Sequence, residues 1–187
     1  MSWIALICLG ASDGARVENL LGAAARLAAD AEVVGVRAVS ELYGDRHRAH
    51  RGGATVNLML ALEYTTAPAI DALERRFKRL EADFGRERDP RRQMPVPLDI
   101  DLLGGIDAAP QWQARYDPGR PYLFHGLQQL PLPALQSELA VLAQQRGFRA
   151  EHNASGFYSF ASAEFVRRYL SERVAGVVPV VSQREAG

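Results

Sequence analysis

The sequence predicts an α+β fold with an antiparallel sheet, and three observations carry that expectation. Two short apolar runs, WIALICLG (3–10) and LDIDLLG (98–104), have the length of strands and close on glycine. Two further segments repeat apolar residues at helical spacing, and between them lie two strand-like stretches rich in valine and leucine. Strung together, the elements read β-α-β-β-α-β.

The first run, WIALICLG, has the unbroken apolar character of a buried strand. Asp13 is expected to cap a helix in which Val17, Leu20, Leu21, Ala24, Leu27 and Ala28 share a face. EVVGVRAVSELY (32–43) alternates in part and predicts a second strand. GDRHRAHRGG (44–53), bounded by glycines with Ala49 its one apolar side chain, predicts a loop. ATVNLMLALEY (54–64) sets Val56, Leu58, Leu60 and Leu62 against Thr55, Asn57, Met59, Ala61 and Glu63, the alternation of a strand. Thr66 and Pro68 signal a helix start; Ile70, Leu73, Phe77, Leu80 and Phe84 form its apolar stripe, and Gly85 ends it. A loop, GRERDPRRQMPVP (85–97), leads into LDIDLLG.

This order is the ferredoxin-like arrangement, with both helices on one face of the sheet and the other face left for a site. At 187 residues the chain suits one domain. Its core is expected over residues 3–107. A C-terminal helical extension follows over 108–174: loop-rich through the five prolines of 108–133, then helical near 135–146 and 162–173. Residues 175–187 are expected to fray.

Formal net charge is zero, so no overall field draws the chain to nucleic acid or to a membrane surface. No run approaches the roughly 18 apolar residues of a membrane span, and the N-terminal run lacks a basic leader. Cys8 is the single cysteine and has no internal disulfide partner, which makes a cytoplasmic location the expectation. Charge is nevertheless uneven. Between Arg75 and Arg92 there are eight cationic side chains against four acidic ones, and Lys78 is the only lysine in the chain. Because Arg79 follows Lys78, a phosphate-binding loop of the G-x-x-x-x-G-K-[ST] type is excluded.

Asp99 and Asp101 are the residues that ask for chemistry. Two apart in a strand, they project from one face roughly 6.5–7 Å apart, while Leu98, Ile100 and Leu102 point the other way. Unpaired, the two carboxylates would repel. Magnesium accepts such oxygens at about 2.0–2.1 Å, and paired metals in phosphoryl-transfer sites sit about 3.5–4 Å apart. The competing reading is the acidic face of an edge strand, where charge discourages aggregation. The arginine-rich stretch directly upstream suits a metal-bound polyphosphate, since guanidinium and metal would share its charge.

The stretches VNLMLALEY (56–64), RLEADFGRER (79–88) and PVPLDIDLLG (95–104) resemble the 6-hydroxymethyl-7,8-dihydropterin pyrophosphokinase family. The resemblance covers about 4–124 and is strongest from 54 to 104. It implies magnesium-dependent transfer of pyrophosphate from ATP to the hydroxymethyl group of a reduced pterin, with release of AMP. The partners would be small molecules alone. It also implies that Asp99 and Asp101 hold two magnesium ions and that Arg86 and Arg88 meet phosphate. Asn57 would read the pterin ring and Tyr122 stack on it. Glu81 and Arg88 would lie toward ATP, with Arg92 and Arg120 as further basic positions there.

The chain departs from that pattern in places. The loop after the second strand is GDRHRAHRGG in place of a proline-bearing segment. Thr55, Gln93 and Val96 stand where an aromatic residue, a tryptophan and an arginine are expected. Three readings follow: a differently substituted pterin, as in a methanopterin-type pathway; a folate enzyme with compensating loops; or a module that binds nucleotide or pterin without catalysis. His47 and His50 are candidates for phosphate contact or solvated positions, and His125 and His152 point to no role.

Overall fold

The computed structural model describes residues 2–50, 53–147 and 156–174. The expected tail, His152, and the side chains of His47 and His50 lie outside the described residues. Strand β1 (Trp3–Ala11) runs through the middle of the sheet, paired antiparallel with β4 (Gly53–Tyr64) on one side and β5 (Asp99–Ile106) on the other. Helix α1 (Arg16–Ala28) follows β1, and α2 (Ile70–Asp83) joins β4 to β5. Among the described residues the antiparallel sheet has seven strands, and the fold is the expected α+β, ferredoxin-like one.

Alternation along the three central strands builds two cores. Ile7, Leu9, Leu58, Leu60, Ile100 and Leu102 face α1 and α2, whose Leu20, Leu27, Leu73 and Phe77 are buried against them. Helix α5 (Ala163–Ser171), capped by Ser162 whose side chain accepts from the Phe165 amide, adds Val166 and Leu170 to this core. Leu6, Cys8, Met59 and Leu103 face the opposite way, toward α3 (Pro121–Leu127) and α4 (Pro133–Arg146). The helical extension therefore covers part of the sheet face that the two core helices leave bare.

Five local expectations change. The predicted strand over 32–43 is two strands, β2 (Val33–Val39) and β3 (Leu42–His50), both paired to β4. At the break, the Ser40 amide donates to the Met59 carbonyl (3.0 Å), and the Ser40 hydroxyl accepts from the Met59 amide (2.8 Å). The segment 44–53, expected as a loop, carries β3 to His50. It is paired to β4 on one side and, as far as Asp45, to β7 (Phe157–Ala161) on the other. Its polarity misled because ladder bonds are made by the backbone, and strand propensity follows neighbours more than composition.

Asp13 does not cap α1: Ala15 occupies that position, and the Asp13 carboxylate accepts from the Val96 amide at 2.8 Å. Likewise α2 starts from Ala69, after Thr66 and Pro68, and Gly85 does end it, with φ +84°. The proline-rich stretch holds β6 (Pro110–Trp112), paired to Gly104–Ile106 of β5, and α3, whose first position is Pro121. A side chain at Gly104 would collide with the Gln111 carbonyl, so glycine permits this close strand approach.

Candidate active site

The site is assembled by strand register. Gly10 of β1 pairs with Asn57 of β4 and with Asp99 of β5; Cys8 pairs with Met59 and with Asp101. Asn57, Asp99 and Asp101 therefore share the sheet face opposite α1 and α2. Gly10 leaves the row between Asn57 and Asp99 without a side chain; a Cβ there would stand 3.5 Å from Asn57 Oδ1. Two strand spacings separate these residues, about 9–10 Å of backbone. Asn57 is buried, and among the described residues its Nδ2 has no hydrogen-bond partner.

Electrostatics at the aspartates favour a cation. Burial pushes the Asp99 carboxyl above its ordinary range, and the negative charges of Asp101 and Glu81 push it further, with Lys78 and Arg86 opposing in part. Tyr116, to which the sequence pointed no role, is hydrogen-bonded to Asp101. Burial first, then that bond and the Asp101 charge, raise its phenol.

Glu81 is fully buried in the last turn of α2. Its Oε1 accepts from the Ile100 amide and from Lys78 Nζ, each at 2.8 Å, and its Oε2 pairs with Arg88. Arg88 Nη2 also lies 3.5 Å from Asp99 Oδ1. Glu81 thus reaches the site through Arg88 and the backbone between the two aspartates. Arg86 donates to the Glu87 and Pro95 carbonyls at 2.9 and 3.0 Å, which fixes the loop before β5, and its Nε is buried with no partner among the described residues. Arg92 is 78% exposed and pairs with Asp89 at 3.3 Å. A pocket of about 440 Å³ gathers Arg86, Arg88 and Arg92 together with Gln93 and Val96.

The remaining candidates belong to α3. Arg120 is exposed at its N-terminal end, and Tyr122 is half-buried against the α3–α4 core. The Tyr122 carbonyl accepts from the Tyr43 hydroxyl at 2.8 Å, which ties α3 to the strand beside Asn57. Register and contacts thus bring together Asn57, Asp99, Asp101, Glu81, Arg86, Arg88 and Arg92. Tyr122 is linked to this group by its backbone carbonyl through Tyr43, whereas none of the described contacts brings Arg120 to it: the Arg120 amide donates to the Asp117 carbonyl at 3.0 Å. His125, silent in the sequence, stacks on Phe157 (centroids 4.4 Å, 18° between planes) and meets Tyr43 edge-on at 4.8 Å. Burial lowers its pKa, while Glu41 and Asp45 pull the other way.

Among the described residues no three His, Cys, Asp or Glu side chains cluster as a self-sufficient metal site. A pair of carboxylates is nonetheless what magnesium takes when phosphate oxygens and water complete its shell. Among the described residues, too, no helix is long and apolar enough to cross a membrane. The family model for 7,8-dihydro-6-hydroxymethylpterin-pyrophosphokinase matches residues 6–145. The chain belongs to this family. A comparison with curated proteins finds no match. The region matched to the pyrophosphokinase family contains every candidate residue from Asn57 to Tyr122 and stops short of β7 and α5. Membership supports a pterin pyrophosphokinase function in general, using ATP and small-molecule substrates.

Proposed function

We propose that this chain is a magnesium-dependent pyrophosphokinase that transfers pyrophosphate from ATP to the hydroxymethyl group of a reduced pterin, releasing AMP. The observation that carries the proposal is the common face of Asn57, Asp99 and Asp101, two strands apart across a glycine. Asp99 and Asp101 would hold two magnesium ions. The fit rests on Asp99, whose charge is disfavoured by burial and by its acidic neighbours until a cation joins it. Bound there, magnesium would supply charge neutralisation for the phosphates.

The chain's own residues position the reactants. Arg86 and Arg88 take phosphate oxygens, with Arg92 and Arg120 further out toward the nucleotide. Glu81 keeps Arg88 beside Asp99 and so acts on ATP at one remove. Asn57 orients the pterin and Tyr122 covers it. No covalent enzyme intermediate is needed: the acceptor oxygen takes the pyrophosphoryl group as AMP leaves, and the rate gain comes from alignment and charge stabilisation.

Incubation with ATP, magnesium and a small set of reduced pterins tests this directly. One AMP is expected per pterin diphosphate formed. Release of ADP, or AMP release that ignores the pterin, would overturn the assignment. A binding module without catalysis is the second reading, favoured by Gln93 and Val96 in the wall of the arginine pocket. It predicts magnesium-dependent binding of a non-hydrolysable ATP analogue with no turnover of ATP itself.

A further inference from the structure

A strap of chain, residues 113–120, joins β6 to α3 and touches Asp101 on the way. It leaves the sheet where the Gln113 amide donates to the Leu103 carbonyl of β5 at 2.8 Å. Tyr116 then reaches Asp101, to which its phenol is hydrogen-bonded. Arg115 beside it pairs with Glu74 of α2 and lies over the Tyr116 ring, 5.0 Å from its centroid. Where the phenol stands against Asp101 therefore depends on what holds the strap.

Arg146, in the last turn of α4, holds it. Its Nη1 and Nη2 donate to the two carboxylate oxygens of Asp117 at 2.9 and 2.8 Å, a two-bond fork. The same aspartate organises the turn: its Oδ1 accepts from the Gly119 amide at 2.9 Å, and its carbonyl accepts from the Arg120 amide at 3.0 Å. A Cβ at Gly119 would collide with Arg146 Nη1, so the guanidinium lies directly against the turn. Its charge keeps the Asp117 carboxyl below the ordinary range. Both side chains are 41% exposed, and an exposed pair with a single bond contributes little; the fork and the glycine contact make this one a geometric constraint. Eight residues earlier on α4, Glu138 accepts from Trp112 Nε1. Helix α4 thus grips the chain on both sides of Tyr116, from points roughly 12 Å apart along its axis.

We infer that Arg146 is a positioning residue for the metal-nucleotide site: by clamping Asp117 it fixes the strap that sets Tyr116 on Asp101. The inference rests on the pyrophosphokinase reading above, in which Asp101 is a magnesium ligand. It extends that reading to a residue just past the matched region 6–145. A carboxylate that already accepts a bond from a fixed phenol keeps one orientation, so a cation meets it without further ordering of that side chain. A loosened strap would leave the Asp101 carboxylate free to rotate.

Two measurements test this. In the free protein, Arg146→Ala should lose amide-exchange protection over 113–120 while β1 and β4 keep theirs. By calorimetry with a non-hydrolysable ATP analogue, the magnesium concentration for half-maximal binding should rise about 3- to 10-fold in Arg146→Ala, less than the loss of a direct partner of a metal ligand, with Arg146→Lys between it and wild type. Asp117→Asn keeps an acceptor for Gly119 but loses the charge; it should shift binding the same way, and it decides if Arg146→Ala fails to fold. Arg168→Ala removes an exposed ion pair on α5, Arg168 with Glu172 at 3.9 Å, and should bind like wild type. An Arg146→Ala chain with unchanged exchange in the strap, or with the magnesium requirement of wild type, overturns the inference. An equal shift in Arg168→Ala also overturns it, since any lost surface pair would then suffice. Failure of the wild-type chain to bind the analogue with magnesium overturns the pyrophosphokinase reading together with this one.

Discussion

The two faces of the sheet are made by the same strands, one residue out of step, and they differ completely. The face under α1, α2 and α5 is apolar from end to end, from Ala5 and Ile7 through Leu58 and Leu60 to Ile100 and Leu102. The other face is apolar only where Leu6, Cys8 and Met59 meet α3 and α4. Where β1 reaches Gly10 it turns polar, with Asn57, Asp99 and Asp101 on it. One face is thus given wholly to hydrophobic stabilisation, and the other spends part of its area on charges that, under the proposed function, would serve a ligand.

That division is open to direct attack. The largest expected effect is on chemistry: Asp99→Ala or Asp101→Ala should lower AMP-forming turnover at least about a thousandfold. The melting temperature should hold or rise, because a like-charge repulsion is removed. Normal turnover in both variants would break the comparison at its centre. On the opposite face, Leu60→Ala should cost about 2–5 kcal/mol in urea unfolding and leave kcat unchanged at temperatures where the protein is folded.

Glu81 belongs to neither side alone, since it sits in α2 yet holds Arg88 and the Ile100 amide. Glu81→Gln should destabilise by about 1–3 kcal/mol and weaken magnesium-ATP binding, the cost being moderated because Lys78 and Arg88 are nearly half exposed. The smallest effect is Asp99→Asn in the metal-free protein. The folded carboxyl of Asp99 is raised above its ordinary value, so its contribution favours folding below that value and is lost as pH rises through the folded one. Replacing it should therefore stabilise at neutral pH, by less than about 1 kcal/mol given its exposure, and the gain should shrink as pH is lowered toward the aspartate range.

What could be read from the sequence follows from the same division. The apolar stripes of α1 and α2 and the alternation of 54–64 are enforced by a continuous dry core, and those elements form as their periodicity predicts. Asp99 and Asp101 stood out because strand period placed two charges together in an apolar run. Residues whose placement comes from long-range neighbours stayed hidden. Asp45 looked like part of a polar loop until β7, more than a hundred residues later, paired with it. Tyr116 becomes relevant only through Asp101, and Asp13 leaves its capping role because the Val96 amide is within reach. Composition reports local preference, and these contacts are non-local.

Strand β6 covers β5 only from Gly104 to Ile106, so along Asp99–Asp101 the outer side of β5 is met by helix rather than strand. There the Ile100 N–H is given to the fully buried Glu81. That amide proton is consequently a reporter. It should exchange slowly with deuterated solvent although its bond is to a side chain and not to a neighbouring strand, and its rate should follow the opening of the last turn of α2 more closely than that of the sheet. Ligand occupancy at the aspartates on either side would register as added protection at this one backbone position.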